Sequence, residues 1–192
     1  QTCALPIFGY KFNKLVDNLP NQLINLTFKN DFNQLVNNLP NTIIYLSFGY
    51  DFNQPVEFLP NSIKYLYFGQ QFNKSVDILP NSLIELRFSF SFNQQVDNLP
   101  TQLKNLKFGY KFNQPVNCLP KNLTHLILDK SFNQIIDNLP NSLVHLKIGV
   151  DFNQKVSKLP KSIEQIIIGA RNQVNLFPNE FENIVQLEKL YK

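Results

Sequence analysis

The chain has 192 residues, 43% of them apolar and 17% charged, with a net charge of +4 and neither tryptophan nor methionine. That apolar share points to a folded rather than a disordered chain, and the mild positive charge is scattered, not gathered into a basic tail. Two cysteines do not make a disulfide framework.

The first segment, QTCALPI at 1–7, is set apart from the rest of the chain. Its codons can spell the end of a common sequencing adapter, so it is expected to be non-native. The alternative is a genuine Leu5-Pro6 motif, although its distance to Phe12 fits no full repeat. On the first reading Cys118 is the one native cysteine.

From residue 8 to 170 the chain repeats every twenty residues. Phe-Asn stands at 12, 32, 52, 72, 92, 112, 132 and 152, and Leu-Pro at 19, 39, 59, 79, 99, 119, 139 and 159. The template is Leu-x-x-Leu-x-Phe-x-x-x-Phe-Asn-x-x-Val-x-x-Leu-Pro-x-x. Around Leu26-Thr27-Phe28 apolar residues alternate with others, the period of a half-buried strand. Glycine at 49, 69, 109, 149 and 169 ends that strand, and is expected there for its turn conformations. The recurring proline excludes helix at the residue before it. Each turn therefore reads as a strand of about five residues, a loop and an extended return.

One such turn orders twenty residues around six apolar positions, too little burial to offset the lost conformational entropy. Turns must stack, pairing equivalent strands in parallel and aligning equivalent side chains into columns. Phe12 to Phe152 form one column; Phe28, Phe48, Phe68, Phe88 and Phe108 form another, continued by Leu128, Ile148 and Ile168. The fold class is a β-rich repeat solenoid with one short parallel strand per twenty-residue turn and little or no helix.

The asparagines beside the phenylalanines need hydrogen bonds of their own if buried. Asn13, Asn33, Asn53, Asn73, Asn93, Asn113, Asn133 and Asn153 are read as a structural ladder bonding the backbone of their own and neighbouring turns. Residues 171–192 lose Phe-Asn, and are read as an atypical or truncated C-terminal repeat that stops where a further strand is due. The chain is expected to be a fragment open at both ends.

Function is expected where the template varies. The outward strand positions align as Asn25, Tyr45, Tyr65, Glu85, Asn105, His125, His145 and Gln165, beside Thr27, Ser47, Tyr67, Arg87, Lys107, Ile127, Lys147 and Ile167. A second variable row comes after the glycine: Tyr10, Asn30, Tyr50, Gln70, Phe90, Tyr110, Lys130 and Val150. Tyrosine and arginine are enriched among residues that carry interface energy. The expected partner site is Tyr45, Tyr65, Tyr67, Glu85, Arg87 and Lys107, with His125 and His145 adjoining. Cross-strand tyrosine pairing for sheet stability is the competing explanation.

No catalytic constellation, cofactor site or metal site is legible. His125 and His145 are neighbours, but Asn105 and Gln165 on either side do not complete a zinc site. Nucleic acid is the weaker partner class, because Glu85, Asp129 and Glu164 interrupt the basic residues. No membrane association is expected, and the cytoplasm is the working compartment.

The stretches LPNTIIYLSFGYDFNQPV (39–56), LPNSIKYLYFGQQFNKSV (59–76) and LPTQLKNLKFGYKFNQPV (99–116) resemble the FNIP-repeat family, itself similar to the leucine-rich repeat. The proline after Phe-Asn-x survives only at Pro55 and Pro115, and the asparagine sits two places later than in the usual leucine-rich repeat. The resemblance implies a leucine-rich-repeat-like solenoid that binds proteins. It also implies an alternative, the substrate-recognition arm of a ubiquitin-ligase adaptor whose F-box lies outside this chain.

Overall fold

Each Leu-Pro pair from 19 to 159 opens a β-turn. The Pro40 carbonyl accepts the Ile43 N–H at 3.3 Å, and the same bond recurs from Pro20 to Pro160. In this computed structural model, which describes residues 8–188, every such turn delivers the chain into a strand. The segment 1–7, expected to be non-native, lies outside the described residues.

The strands are β1 (Asn25–Thr27), β2 (Tyr45–Ser47), β3 (Tyr65–Tyr67), β4 (Glu85–Arg87), β5 (Asn105–Lys107), β6 (His125–Leu128), β7 (His145–Ile148), β8 (Gln165–Ile168) and β9 (Val185–Leu187). They form one parallel sheet in sequence order, and from β1 to β8 equivalent residues pair in register, Tyr45 with Tyr65 and Leu46 with Leu66. The strands have three or four residues, not five. Hydrogen bonding nevertheless extends past them: Ile44 donates to the Ile24 carbonyl and Phe28 to that of Ser47. The flanking residues join the ladder while the chain is already bending away.

The core lies behind the sheet. Leu26, Phe28 and Phe32 are buried, as are their equivalents in later turns as far as Ile166, Ile168 and Phe152. The two phenylalanine columns merge into one stack, because Phe28 lies over Phe32 at 3.7 Å between centroids, and the same contact recurs at 48–52, 68–72, 88–92 and 108–112. Where Leu128 replaces phenylalanine, the inner column continues alone through Phe132 and Phe152.

Spacing between turns grows with depth. On the solvent face the rings of His125 and His145 are 4.5 Å apart, whereas Phe28–Phe48 are 5.7 Å and Phe32–Phe52 6.1 Å apart in the core. Adjacent strands normally lie about 4.8 Å apart. The turns fan open toward the phenylalanines, so the solvent face of the sheet is the concave one.

The glycines have a different role from the one expected. None has a positive φ. Their need is close approach: a Cβ on Gly109 would stand 1.4 Å from the Ser89 carbonyl oxygen, and one on Gly69 1.7 Å from that of Gly49. Lys29, Ser89 and Asp129 occupy this position in other turns, and each is succeeded one turn on by glycine.

At the C-terminal end a further strand forms after a longer turn. Two 3-10 helices, Arg171–Leu176 and Asn179–Ile184, lead into β9, which pairs with β8. Phe177 extends the aromatic stack, 6.4 Å from Phe152. Gln173 is fully buried and donates to the carbonyls of Gly149 and Phe152, while its Oε1 accepts the Ala170 N–H.

Candidate binding surface

Side chains alternate across a strand, so the buried Leu46, Leu66 and Leu86 turn their neighbours to the concave face. There β2 to β5 assemble a cluster. The Tyr45 ring meets Tyr67 edge to face at 5.2 Å and 87°. Tyr67 donates from its hydroxyl to Glu85 Oε1 at 2.6 Å, and Arg87 donates to the same oxygen through Nε. The Arg87 guanidinium lies over the Tyr67 ring, 4.9 Å from its centroid. Asn105 Nδ2 approaches Glu85 Oε2 at 3.4 Å. Glu85 is 9% exposed, so a carboxylate at the centre of this face is enclosed by donors.

Burial, then the hydrogen bond to Glu85 and its negative charge, push the Tyr67 phenol up to about 12; the Arg87 charge opposes them. The phenol stays protonated and the cluster stays closed at neutral pH.

Of the other expected residues, Lys107 lies beside the cluster on β5 and has no ion-pair partner among the described residues. Tyr65 is half-buried, with no ring or hydrogen-bond partner for its side chain among them. His125 and His145, on β6 and β7, meet at a 33° tilt. Burial, and then the charge of His145, hold the His125 imidazole below its ordinary value. The ring Nδ1 of His125 lies 2.9 Å from Thr124 Oγ1.

The asparagines stand on another part of the turn, exposed or half-buried rather than buried. The backbone N–H of each one from Asn33 to Asn153 donates to the side-chain oxygen of the asparagine one turn before, at 2.8–3.0 Å. The neighbouring glutamines add a second donor to most of these oxygens, as Gln54 does to Asn33. A further row was not read from the sequence: Thr42, Ser62, Ser82, Ser142 and Ser162 each donate a hydroxyl to a carbonyl of the preceding turn. Its signal was the recurring Ser or Thr two places after Leu-Pro.

At the rim, Phe90 and Tyr110 stack at 4.8 Å, with Lys111 over the first ring and Lys130 over the second. Lys130 Nζ also donates to the Tyr110 hydroxyl, which raises the affinity of Lys130 for its proton. Among the described residues no helix is long and apolar enough to cross a membrane.

The FNIP Repeat family profile matches seven overlapping windows, 12–51, 32–71, 52–91, 72–111, 92–131, 112–151 and 132–171. The chain belongs to the FNIP-repeat family. The FNIP solenoid is also similar to a solved structure described as "The crystal structure of CroV588 a novel circular LRR protein structure", with 45% identity and a TM-score of 0.74 over 79% of this chain. The chain spans 24% of that protein's length. No curated protein sequence is found to match. The fold is thus a leucine-rich-repeat-like scaffold, a class that generally mediates protein interaction.

Proposed function

We propose that this FNIP solenoid is a non-catalytic protein-recognition scaffold whose concave strand face contacts the partner. The observation that carries this reading is the Tyr45–Tyr67–Glu85–Arg87 cluster. Its side chains hold one another in place before any partner arrives, which lowers the entropy lost on binding. Tyr65 and Lys107 flank it, with no ring or ion-pair partner among the described residues, leaving a ring and a charge available. The repeats share the buried positions of the template, so selectivity belongs to these variable positions.

The test is affinity capture with the wild-type chain and with a Tyr65→Ala/Arg87→Ala variant. The reading expects a partner captured by the first and lost from the second, with both retaining the same β-sheet circular dichroism. Equal capture by the two would overturn it.

A further inference from the structure

Two open grooves meet on the concave face and share the side chains of His125 and Ile127. The one toward β4, ≈ 440 Å³, is walled by Glu85, Arg87, Asn105 and Lys107. The one toward β8, ≈ 330 Å³, is walled by His145, Lys147, Gln165 and Ile167 over a leucine floor.

Their chemistry differs. In the first, the Glu85 carboxylate is already taken by Tyr67 and Arg87. Arg87 uses only its Nε for this, and Lys107 has no anionic partner among the described residues. The groove therefore offers positive charge and hydrogen-bond donors. In the second, the charge of Lys147 is met by Glu188, so Ile127, Ile167 and the imidazole faces set its character. Lys64 and Lys104, both exposed, widen the positive field beside the strands, against Glu164 at the far end.

We propose that this composite groove binds an extended acidic peptide segment of a partner protein, with a carboxylate at Arg87 and Lys107 and an aliphatic side chain on the methylene stem of Lys147, which stands in register between Ile127 and Ile167. This rests on the reading of the concave face as the recognition surface. The two ends are about two and a half strand spacings apart, roughly 12 Å. Four residues of extended chain cover roughly 13 Å and return a side chain to the same side. The segment therefore carries its acidic and aliphatic residues four apart and crosses the strands. Arg87 suits such a ligand because its free terminal nitrogens can fork onto a carboxylate. Single-stranded nucleic acid fits less well, because Arg87 already covers the Tyr67 ring and Tyr45 packs against that ring edge to face.

The experiment selects random phage-displayed peptides on the full chain and measures labelled binders by fluorescence anisotropy. The comparison proteins are Arg87→Gln/Lys107→Gln on the groove, Lys111→Gln/Lys130→Gln on the rim as a charge-matched control, and Tyr65→Ser/Ile127→Ser on the same face. A mixed-sequence single-stranded DNA oligonucleotide is a parallel probe. The expected result is enrichment of peptides with an acidic and an aliphatic residue four apart, binding roughly tenfold or more weakly to the groove charge variant and unchanged to the rim variant. Peptides without acidic residues that still depend on Tyr65 and Ile127 would overturn the acidic ligand and leave the concave face as the recognition surface. Peptides indifferent to every concave-face variant would overturn both. Equal loss on the rim variant, failure to enrich any peptide, or tighter Arg87-dependent binding of the oligonucleotide would each overturn the acidic-peptide assignment.

Discussion

The Tyr67 hydroxyl reaches diagonally across the β3–β4 junction to Glu85 Oε1, 2.6 Å away, although its partner in register is Arg87. The diagonal contact is what turns three side chains on adjacent strands into one unit. Burial first, and this contact second, hold the phenol protonated up to about 12 in the folded state, against an ordinary value of 10.0, so the stability linked to the neutral phenol is fully present below pH 10. That contribution is lost as pH rises from 10 through 12. Spectrophotometric titration should show a late tyrosinate transition that is absent from Tyr67→Phe. In Glu85→Gln it should move down toward 10 without reaching it, because burial is the larger cause. A transition unmoved by Glu85→Gln would contradict the assignment.

The asparagine ladder predicts a difference between its middle and its end. Asn93→Ala would strip the acceptor from the Asn113 N–H and the Gln114 side chain. An unmet donor costs about 1–3 kcal/mol when buried, and this partly exposed site belongs near the lower limit. The side-chain oxygen of Asn153 accepts only from Gln154 of its own turn among the described residues. Asn153→Ala should therefore cost within about 0.5 kcal/mol. Urea unfolding of the two variants checks the order.

Glycine substitutions should divide by position. Gly109→Ala would place its Cβ against the Ser89 backbone, which must move to admit it; about 1–3 kcal/mol of destabilisation is expected. Gly9→Ala meets nothing within 4 Å and should be neutral. Thermal or urea melts that rank the two equally would show that close approach is not the reason for glycine here.

Core and surface phenylalanines should separate as sharply. Phe92 is fully buried between Phe72 and Phe112, so Phe92→Ala should cost about 3–5 kcal/mol. Phe58 is 68% exposed, and its alanine variant should unfold like the wild type.

The solenoid was legible because Phe-Asn and Leu-Pro keep one period, and a single turn cannot bury its own apolar positions. Register came from that period alone. The last strand was not located by it because the pattern changes there: Gln173 stands twenty residues after Asn153, but the next phenylalanine of the stack is delayed to 177. The purpose of glycine was misread because one turn viewed alone shows a bend, and the crowding lies between turns. Sequence rows put Tyr67 beside Arg87 but were silent on Glu85 turning toward Tyr67. Side-chain reach, unlike register, is set by which donors surround the carboxylate.

The most direct test of the central claim is the affinity of a captured partner for two double variants of the chain. One removes concave-face contacts, Tyr65→Ser/Arg87→Ser; the other removes rim aromatics, Tyr50→Ser/Phe90→Ser, from side chains that are 46% and 38% exposed. Recognition by the concave face predicts roughly tenfold or greater weakening in the first and none in the second. Weakening confined to the rim variant would move the binding surface off the strands and contradict the account.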